Sequence, residues 1–341
     1  MSYLKNAWYV AGWSDEIRDG LFARRLMDQP IVFYRKPDAS LAALADRCPH
    51  RFVPLHLGKL HGDIVECAYH GLRFGSDGRC VLNPNSDTIP AKAKVRSYPV
   101  VERHKLVFIW MGAAEQADPA LVPSFDFMDD EALATTKGYI HGNSNYMLMV
   151  DNILDLSHTQ FLHADTLGSK ALAKAIPEIV EHDRHVDVLR WMPDDYQAPL
   201  TSASRGFANR KSDAWIDTRW HAPGYLHMET GLTEPGSERS MGKVSHALHL
   251  ITPETPTTNH YFWANARAFA TDDLELTQRI HSGFGYAFEH EDKPILAAQQ
   301  EAMGDADLWE LDPVSLRGDA AAVRVRRKLE RMISEEARGS A

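Results

Sequence analysis

Two short stretches decide the fold of this chain: DRCPHR at residues 46–51 and ECAYHGL at residues 66–72. The first stretch has one residue between Cys48 and His50, and the second has two residues between Cys67 and His70. Each stretch lies among short runs of β-branched and aromatic residues, which predicts that both are loops between strands. The two loops together supply two thiolates and two imidazoles, which is a ligand set for a metal centre.

This ligand set is typical of a Rieske [2Fe-2S] cluster, in which two cysteines bind one iron and two histidines bind the other. Pro49 restricts the backbone of the first loop, and Gly71 leaves room beside the second. The alternative is a Cys2His2 zinc site. Structural zinc sites more often pair cysteine with cysteine and histidine with histidine, whereas each half here contains one of each. The spacing therefore favours the cluster.

Length, charge and cysteine content restrict the class of protein further. A chain of 341 residues exceeds one typical core, so two domains are expected. The net charge is -10 and no block of basic residues occurs, which argues against a nucleic-acid partner. No apolar run approaches the length of a membrane span and no signal peptide is evident, so the cytoplasm is the simplest location. Three cysteines, two of them predicted ligands, argue against a disulfide scaffold and leave Cys80 unpaired.

The periodicity of the chain changes near residue 118. Short apolar runs separated by turn signals fill the region from Trp8 to Trp110, and a polar, proline-bearing segment follows. Further on, the chain alternates in strand fashion from Pro177 to about Phe269 and has helical patterns near residues 145–168, at residues 272–303 and at the C-terminus. These patterns predict an all-β domain at residues 1–118 and an α+β domain with an antiparallel sheet at residues 119–341.

The helical pattern at residues 145–168 contains the second group of metal-binding residues. Asn152, Asp155 and His158 are spaced three apart, so they would share one face of a regular helix. His163 lies five residues beyond His158, about 140° round an ideal helix, so the helix must distort or end between them if both rings bind one metal. Two histidines and a carboxylate form the facial triad of non-heme Fe(II) oxygenases. The alternative is an amphipathic helix with two half-buried histidines.

A third ligand would come from the acidic segment near residue 290. Spacing alone leaves three candidates, Glu289, Glu291 and Asp292. Pro294, just beyond them, is expected to kink or restart the helix.

Several motifs resemble those of the Rieske non-heme iron oxygenases, and within that family the short oxygenases that include vanillate O-demethylase and dicamba monooxygenase. They are NAWYVA, CPHR-x2-PL, YHGL, VDN-x2-DL-x-H and H-x2-TPE. The resemblance implies that Cys48, His50, Cys67 and His70 hold the cluster, and that His158, His163 and Asp292 hold the catalytic iron. It also implies a homotrimeric ring in which Asp155 bridges His70 of one subunit and His158 of the next. Asp155 and Asn152 are the expected catalytic residues, since one carboxylate between two metal-bound imidazoles would orient both rings.

The resemblance also implies the activity of a terminal oxygenase. Electrons from NAD(P)H would arrive through a separate ferredoxin or flavin reductase, because this chain has no dinucleotide fingerprint. Dioxygen would then monooxygenate a small aromatic substrate. The predicted reaction is oxidative O-demethylation of a methoxylated aromatic acid, with ring hydroxylation or N-demethylation of another arene as the alternative. A Rieske-type electron carrier and a zinc hydrolase are the alternatives from other classes.

Substrate contacts are the least constrained part of the prediction. His249 and His227 lie on strand patterns with apolar neighbours and are the predicted substrate-binding residues, with Asn265 or Arg267 as further donors to a carboxylate. Gly283 and Gly285 stand where the dicamba enzyme would have a bulky aromatic residue, which predicts a roomier pocket.

Overall fold

The computed structural model describes residues 3–339, so the first two and the last two residues lie outside the described part. The chain divides into two compact units that meet in sequence between Ser124 and Phe125. The sequence-based boundary at residue 118 falls a little earlier, within a segment of short 3-10 turns. Within residues 3–339, no helix combines the length and apolar character that crossing a membrane requires. The cytoplasmic location stays a prediction.

The first unit is all-β in the part that the structure describes. Its strands are β1 (Trp8–Trp13), β2 (Phe22–Leu26), β3 (Gln29–Arg35), β4 (Leu41–Ala45), β5 (Lys59–His61), β6 (Ile64–Glu66), β7 (Arg73–Phe74), β8 (Cys80–Leu82), β9 (Ser97–Tyr98), β10 (Val100–Arg103) and β11 (Leu106–Trp110). They form three antiparallel sheets, with orders β2-β3-β4-β9, β1-β11-β10 and β5-β6-β7-β8. The all-β prediction is confirmed.

The sheet β5-β6-β7-β8 follows from turn chemistry in the sequence. Strands β7 and β8 pair across the Asp77-Gly78 turn that the sequence predicts. Gly78 has φ +79°, and a Cβ there would lie 2.2 Å from the Val95 carbonyl oxygen, so only glycine fits. One predicted metal-binding loop joins β4 to β5, and the other joins β6 to β7.

The second unit contains a seven-stranded antiparallel sheet. Its strands are β12 (Ala134–Gly142), β13 (Glu178–Glu181), β14 (His185–Asp195), β15 (Ser212–His221), β16 (Tyr225–Thr233), β17 (Lys243–Thr255) and β18 (Thr258–Arg267), in the order β12-β18-β17-β16-β15-β14-β13. The helices are α1 (Tyr146–Leu154), α2 (Thr159–Leu162), α3 (Lys170–Lys174), α4 (Pro199–Arg205), α5 (Leu274–Tyr286), α6 (Lys293–Met303) and α7 (Ala320–Gly339). This α+β arrangement confirms the predicted fold class.

The helix expected at residues 145–168 is interrupted, which corrects the prediction that Asn152, Asp155 and His158 share one helical face. Helix α1 ends at Leu154, and Asp155 takes an extended conformation with ψ 95°. A 3-10 turn at Leu156–His158 follows, and then α2. Because helix α1 ends before this turn, side chains that a regular helix would direct to different sides can face the same site.

The C-terminal helix fixes the position of α1. Arg326 of α7 is buried and pairs with Asp151 of α1, with Nη2 and Oδ2 2.6 Å apart. A buried ion pair with several hydrogen bonds is costly to break from one side. Asp151 directly precedes Asn152, so this pair places the end of α1 that enters the candidate site.

Candidate metal centres and substrate pocket

The two cysteine loops of the first unit share one backbone design. Cys48 N–H donates to the Val53 carbonyl, and Cys67 N–H donates to the Leu72 carbonyl, so each loop closes over five residues. The carbonyl of each cysteine accepts from the residue four positions later. That residue has a left-handed conformation in both loops, with φ 62° at Phe52 and 71° at Gly71. The loops therefore present their cysteine and histidine side chains in similar ways.

The side chains of these loops suit an iron–sulfur cluster. Cys48 and Cys67 are buried and form no disulfide. Burial, and the neighbouring thiol of Cys67, raise the pKa of Cys48 to about 11, so a bound metal is what would hold the Cys48 sulfur as a thiolate. The His50 and His70 rings pack 4.4 Å apart at the more exposed end. Two buried soft sulfurs and two adjacent imidazoles fit a Rieske cluster.

A second candidate metal centre lies in the second unit. His158, His163 and Asp292 each have a ligand atom within 4.8 Å of the others. Asp292 Oδ1 lies 3.1 Å from His163 Nε2 and 3.6 Å from His158 Nε2. Asp292 and His163 are buried, and His158 is half-buried. This donor set has the composition of a facial triad.

The outer nitrogens of both histidines have hydrogen-bond acceptors. His158 Nδ1 donates to the Asp155 carbonyl at 2.6 Å, and His163 Nδ1 donates to Glu291 at 2.7 Å. Both Nε2 atoms face Asp292, which is the arrangement that metal-binding histidines require. Against the effect of burial, the carboxylates of Asp292 and Glu291 raise the pKa of His163, and a bound metal would take the place of the proton at Nε2. Burial lowers the pKa of His158, which keeps its ring neutral. The site therefore fits a divalent iron.

The three acidic residues near residue 290 have different partners. Glu289 pairs with Lys293 at 2.5 Å, Glu291 accepts from His163 Nδ1, and Asp292 faces both Nε2 atoms. They lie on a π-helical turn at Ala287–Asp292, directly before Pro294. A proline ring clashes with the carbonyl four residues before it in a regular helix, so a wide turn is suited to this position.

Asn152 and Asp155 have distinct roles in the structure. Asn152 Nδ2 donates to Asp292 Oδ1 at 3.0 Å and so orients the carboxylate. The Asp155 carboxylate accepts from the backbone N–H and the hydroxyl of Ser157, which caps the 3-10 turn. Within the chain it is thus the backbone carbonyl of Asp155, rather than its carboxylate, that contacts the His158 ring.

A cavity of about 130 Å³ opens at this metal centre. An engineered cavity of roughly 150 Å³ binds benzene, so this cavity has the size for one aromatic ring. Its walls are mainly apolar, contributed by the sheet and by α4, α5 and the π-helical turn. They include Leu156, Leu200, Ile216, Met228, Ala247, Ile280, Phe284 and Phe288.

The structure places the predicted substrate residues in two groups. His249 and Asn265 line the cavity, and His249 Nδ1 lies 2.6 Å from the Tyr261 hydroxyl. His227 does not line the cavity, because side chains alternate along β16 and Met228 occupies the cavity face. Its ring stacks on Phe127 and bonds His246 instead. The structure therefore does not bring His227 to this cavity, and its role in substrate binding stays a prediction.

Arg267 is also absent from the cavity wall. Its guanidinium donates to the carbonyls of Ala270 and Asp273. Arg267 lies on the same face of β18 as Asn265, but its guanidinium bonds the segment between β18 and α5 instead of the cavity.

The two glycines of α5, Gly283 and Gly285, do not line the cavity. A Cβ at Gly283 would lie 2.7 Å from Leu200 Cδ2, so this glycine lets α5 pack closely against α4. Gly285 has no neighbour that a Cβ would meet. Phe284 and Phe288, one helical turn apart, line the cavity with rings stacked 5.6 Å apart. Bulky aromatic residues therefore form part of the cavity wall, and a pocket roomier than that of the dicamba enzyme stays a prediction.

The sequence analysis missed several polar residues of the cavity, among them Arg205, Thr230 and Ser245. Arg205 precedes Gly206, a position where a basic residue and a glycine ordinarily mark the end of a helix. No motif distinguishes these residues, because β15 to β17 and α4 bring them together only in the folded domain.

The fold and the two sites define the class of the protein, an oxygenase that combines a Rieske cluster with a mononuclear non-heme iron. Comparison with known families agrees. The Rieske [2Fe-2S] domain family matches residues 7–99, and the vanillate O-demethylase oxygenase C-terminal domain family matches residues 143–335. The chain belongs to the Rieske oxygenases whose catalytic domain is of the vanillate O-demethylase type.

Relatives match over nearly the whole length. The oxygenase component of chloroacetanilide N-alkylformylase from Rhizorhabdus wittichii is 39% identical, covering 98% of this chain and 97% of the relative. The iron-sulfur subunit of the toluene-4-sulfonate monooxygenase system from Comamonas testosteroni is 37% identical, covering 99% of both. The oxygenase component of dicamba O-demethylase from Stenotrophomonas maltophilia is 36% identical, covering 99% and 100%.

Solved structures agree with this assignment. Dicamba monooxygenase bound to 3,6-dichlorosalicylic acid superposes with a TM-score of 0.92 at 36% identity, covering 99% of both chains. Another structure of that enzyme contains non-heme iron and dicamba. The protein is therefore an enzyme whose cofactors are one [2Fe-2S] cluster and one mononuclear iron. Family membership removes the electron-carrier and zinc-hydrolase alternatives.

Proposed function

We propose that this enzyme oxidatively demethylates a methoxylated aromatic acid. The observation that carries the proposal is a single-ring cavity with apolar walls that ends at His158, His163 and Asp292. A mainly apolar cavity of this size favours a monocyclic arene. The likeness to dicamba O-demethylase along the whole chain supports a methoxy group as the reacting part of the substrate.

We assign the metal ligands as follows. His158, His163 and Asp292 hold the mononuclear iron, and Cys48, His50, Cys67 and His70 hold the cluster. When bound, the iron activates dioxygen with electrons that the cluster relays.

The protein side chains hold this centre in one arrangement. Glu291 and the Asp155 carbonyl keep the outer nitrogens of the two rings protonated, and Asn152 orients the Asp292 carboxylate. Phe284 and Phe288 position the ring of the substrate by apolar contact. Inserting one oxygen atom of O2 into a methyl C–H bond, with two electrons and two protons, gives a hemiacetal and water. The hemiacetal then separates into a phenol and formaldehyde.

The partners follow from the class. A separate ferredoxin or flavin reductase supplies electrons from NAD(P)H. In the proposed homotrimer, Asp155 of one subunit receives a hydrogen bond from His70 of the next and connects the cluster to the neighbouring iron. A carboxylate in that position would orient a metal-bound imidazole.

Cleavage of an N-alkyl group is a second candidate. The chloroacetanilide N-alkylformylase component is 39% identical to this chain along almost its whole length. Hydroxylation of a carbon next to nitrogen is the same chemistry applied to a different heteroatom. The apolar cavity walls accommodate either arene.

A product assay tests the proposal. The enzyme, a compatible reductase and NADH are supplied with a panel of methoxybenzoates and N-methylanilides, and formaldehyde is measured against oxygen consumed. We expect one formaldehyde per oxygen for at least one methoxybenzoate. Formaldehyde from the anilides alone would favour the second candidate. A phenol or cis-diol that retains every carbon would reject dealkylation.

A further inference from the structure

Arg205 is a buried cation that lines the cavity. It is the last residue of α4, and only 5% of its surface is exposed. Burying a charge is costly unless an opposite charge or several hydrogen bonds compensate. The comparably buried Arg326 has this compensation from the carboxylate of Asp151.

Arg205 has no such partner among residues 3–339. Its guanidinium donates to neutral oxygens only: the carbonyls of Lys243, Thr201 and Thr230, and the hydroxyls of Ser204, Thr230 and Ser245. Burial without a neighbouring acid lowers the pKa of Arg205 to about 10, which still leaves it protonated at neutral pH. The positive charge beside the cavity is therefore not neutralised by the described part of the chain.

Two hydroxyl groups on the cavity wall are hydrogen-bonded to the Arg205 guanidinium. Thr230 Oγ1 and Ser245 Oγ each accept a hydrogen bond from Arg205 Nη2 at 2.9 Å, and both residues line the cavity. A hydroxyl that accepts from a cation retains its own proton as a donor. Within the described residues, neither hydroxyl donates to a protein acceptor. The two residues are also direct cross-strand partners of β16 and β17, so their donors lie side by side.

The strand places this polar group away from the metal centre. Ser245, Ala247 and His249 lie on the cavity face of β17, and His249 contacts Phe288 of the π-helical turn. At roughly 3.3 Å per residue, Ser245 is about 13 Å along the strand from His249. Ala247, between them, leaves room for a ring.

His249 cannot supply the charge itself. Burial lowers its pKa to about 4, so its ring is neutral at neutral pH. It remains a donor or acceptor of one hydrogen bond, whereas Arg205 is the cation of the pocket.

We infer that Arg205, with the hydroxyls of Thr230 and Ser245, forms an anion-binding subsite that selects arenes bearing a carboxylate or sulfonate group. The subsite binds the anion at the end of the cavity away from the iron and presents the opposite end of the ring for oxidation. The inference rests on the proposed function for the identity of the arene as substrate. It gives a function to a buried arginine that has no acidic partner among residues 3–339 and lies at the wall of this cavity.

Equilibrium binding tests the inference without turnover. Isothermal titration of the iron-loaded enzyme, without oxygen or reductant, compares methoxybenzoates and methoxybenzenesulfonates with the matching neutral methoxybenzamides. We expect the wild-type enzyme to prefer an anion roughly 10- to 100-fold, the range of hydrogen bonds to a charged group. Arg205→Gln should lose this preference and keep its affinity for the amide within about 3-fold.

Two further variants separate the subsite from a structural role of Arg205. Thr230→Val with Ser245→Ala keeps the arginine and removes the donors, and should reduce the preference about 10-fold. Lys211→Gln removes an exposed cation that pairs with Asp194 and does not line the cavity, and should leave the preference unchanged. Thermal melting and iron content verify that each variant is folded.

The outcomes distinguish this inference from the proposed reaction. Equal affinity of the wild-type enzyme for acid and amide, or an anion preference that survives Arg205→Gln, would overturn the subsite even if demethylation is observed. A preference lost with Arg205→Gln would support the subsite even if no methoxyarene yields formaldehyde, and that second result would reject only the proposed reaction.

Discussion

The neighbouring carboxylates of Glu289, Glu291 and Asp292 have three different partners in the folded chain. Adjacent positions on the π-helical turn direct Asp292 to both Nε2 atoms and Glu291 to the outer nitrogen of His163. Glu289 bonds Lys293 instead. Since an imidazole binds a metal through one nitrogen, the acceptor at its other nitrogen determines ring orientation and basicity.

A glutamine at position 291 should weaken iron binding without removing a ligand. The Glu291→Gln variant loses the charged acceptor of His163, so we expect the affinity for the mononuclear iron to fall roughly 10- to 100-fold. Iron retained after dialysis against a chelator measures the effect. Glu289→Gln is the matched control, because it removes an equal charge two residues away without contact to either ring. Equal iron loss in both variants would contradict the assignment.

Breaks in the regular helices position the proposed metal ligands. Helix α1 ends at Leu154, and the 3-10 turn before α2 turns His158 and His163 so that their rings lie 5.2 Å apart. The π-helical turn similarly brings Asp292 inward from α5. Non-helical backbone exposes unpaired polar groups, which a cap must satisfy. Asp155 is that cap for the 3-10 turn.

Two substitutions of Asp155 should separate its cap from its charge. Asp155→Asn keeps an acceptor for Ser157, so we expect both metal centres to stay filled while product formation falls at least about 100-fold, because the orienting bonds between subunits weaken. Asp155→Ala also loses the cap, and should destabilise the turn by about 1 kcal/mol and lower iron occupancy. Metal analysis, thermal melting and product formation are measured together.

A control in the same segment is Asp165→Asn, which changes an exposed carboxylate. It should behave as the wild-type enzyme does in all three measurements. Product formation by Asp155→Asn at the wild-type rate would remove the proposed bridge.

Each unit of the molecule contains one complete set of proposed ligands. The cysteines and histidines proposed for the cluster lie in the first unit, and the two histidines and the aspartate proposed for the iron lie in the second. We therefore expect each metal centre to be stabilised by the core of its own unit, so that one metal can be lost without the other.

Metal analysis of the whole chain tests this independence. We expect three irons per chain, from one two-iron cluster and one mononuclear site. His163→Ala should lower the count to two and keep the visible and electron paramagnetic resonance signals of the cluster. Cys48→Ala should abolish those signals. Cys80→Ala is the control, since this buried cysteine donates to the Leu82 carbonyl and should keep all three irons. Zinc with no cluster absorption would contradict the assignment.

The sequence by itself determined the class of this protein. Cys48-x-His50 and Cys67-x2-His70 are local patterns, because each pair lies on one loop whose geometry a few residues set. The alternation of β14 to β18 likewise predicted an antiparallel sheet, since side chains in a strand alternate with a period of two. The spacing of His158 and His163 even required a break in the helix, and the structure has one.

Only the tertiary structure decided the composition of the pocket. Spacing could not choose among Glu289, Glu291 and Asp292, because the choice depends on a π-helical turn meeting two histidines more than a hundred residues earlier. Alternation alone could not distinguish His227 from His249 as a substrate-binding residue, because only the folded domain shows which face of the sheet the helices cover. Arg205 met Thr230 and Ser245 only when α4 packed on that face. Contacts between residues that are far apart in the chain leave no periodic signal in the sequence, because they depend on how the elements pack rather than on local backbone preference.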